Sequence, residues 1–126
     1  DERRREIWAR YHEAFSALEN LQLLRRPAVP EGCRHNAHIY YLKLPSTDAA
    51  VRFAERMKAQ GVSASSHYVP LHTSPGGRRY GTFVGVDRFT TQESERLVRL
   101  PLWFNMTDEE VGVVVEAATE AVRAHA

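Results

Sequence analysis

Apolar residues recur at Ile7, Tyr11, Ala14, Phe15 and Leu18, the spacing of one stripe on a helix. This predicts an amphipathic helix over about 2–24. Arg3, Arg4, Arg5, Arg10 and Glu13 fall mostly off that stripe and read as a solvated face. Pro27 and Pro30 are expected to end the helix and open a linker to about Asn36. The next pattern alternates. His38, Tyr40, Leu42 and Leu44 share one face of a strand over 38–44, Ile39, Tyr41 and Lys43 share the other, and Pro45 closes it. Helical spacing returns at Ala50, Phe53, Ala54 and Met57, predicting a helix over 47–60 with Ser46 or Thr47 as its cap and Gly61 as its stop. A short strand over 62–68 follows. Thr90 and Glu93 have the spacing of a capping box for a short helix to about Val98, with 100–102 extended after it. Thr107 and Glu110 repeat that spacing, with Met106 and Val111 placed for a hydrophobic staple. The buried side of this last helix is expected at Val111, Val114, Val115, Ala118 and Val122.

Helices and a few short strands in this order predict a two-layer fold of the α/β (α+β) class. Its sheet is small and mostly antiparallel, with helices packed on one face. The 126 residues make one domain, 1–126, with 1–26 as a leading helix. Hydrophobic residues at 43% and charged residues at 26% fit a folded globular chain. The 17 basic and 16 acidic residues nearly cancel, so no global field draws the chain to nucleic acid or membrane. One cysteine, Cys33, excludes an internal disulfide and fits a reducing cytoplasm. No apolar run approaches the roughly 20 residues of a membrane span. The chain starts without methionine, and we expect it to be a piece of a longer polypeptide.

Candidate chemistry concentrates in 61–80, which holds His67, His72, Tyr68, Tyr80 and Gly76-Gly77-Arg78-Arg79. Segments of this kind, mounted between apolar elements, are where binding residues gather. A zinc site lacks its ligand set: His67 and His72 are five apart in a Pro-containing stretch, and Cys33, His35 and His38 have no recognised ligand spacing. A phosphate loop would need a lysine after its glycines, where this chain has arginines. Ser65, Ser66 and His67 are adjacent, and adjacency is not triad geometry. His67 and His72 therefore read equally as structural hydrogen bonders or as functional groups, and Cys33 reads as inert.

The run His67-Tyr-Val-Pro-Leu-His-Thr-Ser-Pro-Gly-Gly-Arg-Arg-Tyr-Gly81 closely resembles a segment of the DegT/DnrJ/EryC1/StrS family of sugar-nucleotide aminotransferases. The likeness continues through 87–102 and 105–111, and upstream at 36–43. Within the family it is greatest to the dTDP-4-amino-4,6-dideoxygalactose transaminases. The resemblance implies the final third of a fold-type I enzyme, its C-terminal small domain over 36–126. The whole enzyme would use pyridoxal 5'-phosphate to move an amino group from glutamate to C4 of a dTDP-4-keto-6-deoxyhexose. It would be a cytoplasmic homodimer. The cofactor lysine and most phosphate ligands would belong to an N-terminal large domain outside this chain, so no cofactor and no activity are expected of these residues alone. Lys43 and Lys58 lack the cofactor-lysine context. The resemblance places His67, Tyr68 and His72 against sugar or diphosphate, with Asn36 and His38 as further contacts. Arg78, Arg79 and Arg88 would screen the diphosphate, and read equally as solvated surface. It assigns no catalytic, cofactor or metal residue. Ser65 and Ser66 stand where bulkier apolar residues are expected, which leaves the sugar open. The alternative is a stand-alone, non-catalytic sugar-nucleotide-binding or interaction module.

Overall fold

The computed structural model describes residues 2–124. Its elements are α1 (Glu2–Ala14), α2 (Ser16–Asn20), β1 (Tyr40–Lys43), α3 (Thr47–Ala59) and β2 (Ser65–Ser66). A 3-10 turn (Leu71–Thr73), α4 (Pro75–Tyr80), α5 (Thr90–Glu95), β3 (Leu97–Leu100) and α6 (Asp108–Arg123) complete it. The sheet is antiparallel throughout, in the order β1-β3-β2. Tyr40 pairs with Leu100 and Lys43 with Leu97, while Ser65 pairs with Arg99 on the other side of β3.

The leading helix stops earlier than its prolines suggest. Gln22 takes a left-handed conformation (φ 60). Its amide donates to the Glu19 carbonyl at 2.8 Å, and the Leu23 amide to the Leu18 carbonyl at 3.0 Å. These are the two bonds of a Schellman stop, so the chain turns before Pro27. The basic face is also less solvated than its pattern suggests. Arg3 donates to Asp108 at 2.7 Å and to the Met106 carbonyl at 2.8 Å, and Arg10 reaches the same carboxylate at 2.6 Å. Two arginines thus tie α1 to the start of α6, where a carboxylate also suits the helix dipole.

One face of the sheet is the core face. Tyr40, Leu42, Val98 and Leu100 are buried there against Ile7, Trp8, Tyr11 and Phe15 of the leading helical segment, Phe53 and Met57 of α3, and Val111, Val114, Ala118 and Val122 of α6. Ala117, Ala118 and Ala121 let α6 come close to α3, and truncating Phe53 there would cost about 3–5 kcal/mol. The Ser46 hydroxyl caps α3. The Thr107–Glu110 capping box forms as predicted, and both staple residues, Met106 and Val111, are buried.

Three further expectations fail for physical reasons. Thr90 and Glu93 form no capping box: Thr90 already lies inside α5, and the Glu93 carboxylate is engaged by Lys43 and by Arg96. The strand expected at 100–102 is instead Leu97–Leu100, because pairing with β1 extends the chain directly after α5. Finally, 74–80 is ordered. The Ser74 hydroxyl accepts from the Gly77 amide at 3.0 Å and Pro75 occupies the first helical position, so the glycines and arginines that read as open loop make α4.

Candidate functional site

Residues 67–90 form an arm that leaves the sheet after β2 and returns at α5 with no buried side chain. Tyr68, Val69, Leu71, Tyr80, Val84, Val86 and Phe89 are all exposed on it. With no core of its own, the arm is shaped by local bonds. Gly77 is required where α4 meets the 3-10 turn: a Cβ there would lie inside the van der Waals surface of the Leu71 carbonyl oxygen. That oxygen accepts from the Ser74 hydroxyl at 2.7 Å and the Ser74 amide at 3.2 Å.

His72 holds the two legs of the arm together. Its Nε2 lies 2.8 Å from an Asp87 carboxylate oxygen and 3.3 Å from the Thr91 hydroxyl, and its ring sits 4.5 Å from that of Phe83. The Thr91 hydroxyl donates to the same carboxylate, and its amide approaches within 3.3 Å. Thr91 first, and His72 after it, hold the Asp87 carboxyl below its ordinary range. A cavity of about 620 Å³ opens beside this clasp between Leu71, His72, Tyr80 and Phe83.

A second, larger groove of about 760 Å³ lies along the sheet edge. It runs between His38, Ser63, Ser65 and Arg99 on one side and Trp103, Glu109, Glu110 and Val113 on the other. Leu102 and Thr107 extend it toward α6, and the Tyr11 hydroxyl anchors this wall by donating to the Pro101 carbonyl at 2.8 Å.

The structure brings the sequence candidates together only in part. His67 and Tyr68 are adjacent rings 4.7 Å apart, and Tyr68 lies under the guanidinium of Arg99 at 5.6 Å. His72 sits in the clasp, away from the groove. His38 lines the groove, whereas the Asn36 side-chain oxygen accepts from the His38 amide at 3.0 Å and is spent on its own turn. Arg78 and Arg79 are exposed on α4, Arg79 over the Tyr80 ring at 5.1 Å, and Arg88 is exposed near the arm's return. Sequence reasoning missed Asp87, Thr91 and Arg99. The alternation of Leu97-Val-Arg-Leu100, with Arg99 on the outward parity, was the available signal for the last of these.

Neither lysine suits a pyridoxal group. Lys43 is paired to Glu93, with burial, Arg96 and Arg25 together drawing its amine below its usual value, and Lys58 is exposed on α3. Among the described residues no three His, Cys, Asp or Glu side chains are grouped to hold a metal. No helix among them is long and apolar enough to cross a membrane.

The model of the DegT/DnrJ/EryC1/StrS aminotransferase family matches residues 1–119. An uncharacterized protein of Methanocaldococcus jannaschii is 33% identical over 95% of this chain and 31% of its own length. The spore coat polysaccharide biosynthesis protein SpsC of Bacillus subtilis is 29% identical over 96% of this chain and 32% of its own length. In the crystal structure of the aminotransferase TlmJ from Streptoalloteichus hindustanus, 32% of the chain superposes on 98% of this one. The TM-score is 0.83 at 25% identity. The chain thus spans about a third of the length of the curated relatives it matches.

Proposed function

The chain belongs to the DegT/DnrJ/EryC1/StrS aminotransferase family, and on that premise we propose that it is the C-terminal small domain of a sugar-nucleotide aminotransferase. The whole enzyme would transfer an amino group from glutamate to C4 of a dTDP-4-keto-6-deoxyhexose, in the cytoplasm, as a homodimer building cell-surface polysaccharide precursors. Resemblance supports the sugar, and the part SpsC is named for in spore coat polysaccharide biosynthesis supports the setting. The carrying observation is a mismatch. A fold shared with aminotransferases spans a third of their length, and of its two lysines one is paired to Glu93 and the other is exposed on α3.

Family members use pyridoxal or pyridoxamine phosphate, which supplies the electron sink for amino transfer when bound. The residues described here do not fit that group, and on this reading the cofactor lysine would lie in a large domain outside them. The chain's own contribution is to bind and orient. His67, Tyr68 and His38 would face the sugar. Arg78 and Arg79 carry fixed positive charge suited to a diphosphate. His72 and Asn36 keep weaker claims, since one closes the arm and the other closes its own turn.

The test is to express the uninterrupted reading frame that carries these residues and supply it with glutamate and dTDP-4-keto-6-deoxyglucose. We expect 2-oxoglutarate and an aminated sugar nucleotide from the long product and neither from residues 1–126. Turnover by the 126 residues alone would sink the proposal.

A further inference from the structure

Arg99 is the middle outward residue of the central strand. Val98 and Leu100 turn into the core, which sets Arg99 on the opposite, open face. Its cross-strand partners are Tyr41 and Ser65. Nη2 stands 3.4 Å from the Ser65 hydroxyl, and the guanidinium carbon lies 5.6 Å from the centroid of the exposed Tyr68 ring. Stacking on an aromatic face leaves the donor edge of a guanidinium free.

What the site lacks is a counter-charge. Arg3, Arg10, Arg26 and Arg96 each hold a carboxylate, and so does Lys43, diagonally across the sheet. Arg99 is half-buried, and no carboxylate among the described residues lies in ion-pair range of it; its Nε is buried with no protein partner. The groove does contain two acids on its far wall. Glu110 is bound to the Thr107 amide at 2.8 Å, and Glu109 is exposed at the start of α6, out of reach. A partly desolvated cation without a partner is costly to hold and strongly recognises oxygen anions.

We propose that Arg99, oriented by Tyr68 and Ser65, is an oxyanion receptor on the open sheet face, taking the carboxylate or phosphate oxygens of a substrate in the 760 Å³ groove. Its link to catalysis rests on the aminotransferase reading; the anion site itself does not. A carboxylate would come from the amino donor and a phosphate from the sugar nucleotide. Arg99 is in either case a binding residue, and the chemistry lies elsewhere.

The experiment titrates the 126-residue chain separately with inorganic pyrophosphate and with L-glutamate, following the Arg99 side-chain Nε–H and the Ser65 and Tyr68 amides by NMR. Saturable shifts with pyrophosphate alone assign the phosphate source, and shifts with glutamate alone assign the carboxylate source. Either way, Arg99→Gln is expected to weaken binding at least tenfold while leaving the near-ultraviolet dichroism unchanged. Should that variant unfold, Arg99→Lys gives the same reading, with several-fold weaker binding as the bidentate edge is lost. Absence of shifts at these three residues with both probes, or equal affinity in the Arg99 variants, overturns the proposal. An intact enzyme that transfers amino groups with its KM values unmoved by Arg99→Gln would refute the receptor and spare the aminotransferase reading. Anion binding through Arg99 in a polypeptide without aminotransfer would do the reverse.

Discussion

Tyr11 and Tyr40 are a matched pair on which the packing argument can be tested. Both are fully buried, their rings are 5.3 Å apart, and burial pushes both phenols above their ordinary range. They differ in one respect. The Tyr11 hydroxyl donates to the Pro101 carbonyl at 2.8 Å, whereas the Tyr40 hydroxyl has no protein partner. Tyr11→Phe therefore removes a bond worth about 1 kcal/mol net and strands a part-buried carbonyl, for a total loss of about 1–2 kcal/mol. Tyr40→Phe removes only a desolvated hydroxyl and should cost nothing or stabilise by up to about 1 kcal/mol. An unfolding entropy of roughly 2.1 cal/mol/K per residue makes each kcal/mol about 4 °C for a chain this long. Calorimetry should thus show Tyr11→Phe melting about 4–8 °C lower and Tyr40→Phe unchanged or up to about 4 °C higher. Urea titrations with unchanged slopes would confirm that both act on the folded state. A loss from Tyr40→Phe as large as that from Tyr11→Phe, or a neutral Tyr11→Phe, would refute the hydrogen-bond account of the pair.

Two further perturbations address the arm. Gly77→Ala drives a Cβ into the Leu71 carbonyl, so the 3-10 turn and α4 must separate. Amide exchange over 71–81 should accelerate more than tenfold, while global stability changes by less than about 1 kcal/mol because no arm residue is buried. For Asp87, whose folded value is depressed, the stabilising contribution is complete above the ordinary carboxylate value and disappears as pH falls through the folded one. His72 ring resonances should therefore move on the acid side, below about pH 4, as the clasp opens. Asp87→Asn should abolish that transition, and its persistence in the variant would show that another group drives it.

Much of the scaffold was legible because its cues are local. The α3 stripe, the Thr107–Glu110 box and the alternation through Tyr40, Leu42 and Leu44 each state their geometry within a few residues, and each stands in the structure. What was misread depends on distant partners. The α1–α2 stop is set by two backbone bonds around Gln22, which no proline announces. The Thr90–Glu93 spacing is right for a box, yet Glu93 is drawn away by Lys43, fifty residues earlier in the chain. The same holds for the site. Its histidines and Tyr68 stood out by composition, but the clasp forms only when Asp87, fifteen residues on, folds back to His72, and Arg99 meets Ser65 and Tyr68 only once β3 lies between β1 and β2.

The sheet order also sets a timetable for folding. β3 is last of the strands in sequence and central in space, so apart from the bridge between Lys43 and Arg25, β1 and β2 have no strand to pair with until Leu97–Leu100 arrives. Closing β1 onto β3 brings together residues more than fifty positions apart, a non-local step of the kind that slows folding. During synthesis α1 and α3 can form as each leaves the ribosome, but the sheet cannot. The interval before β3 emerges leaves Tyr40 and Leu42 on an unpaired edge. It is the stage of this chain's life most exposed to misassociation, and the one a chaperone would have most reason to cover.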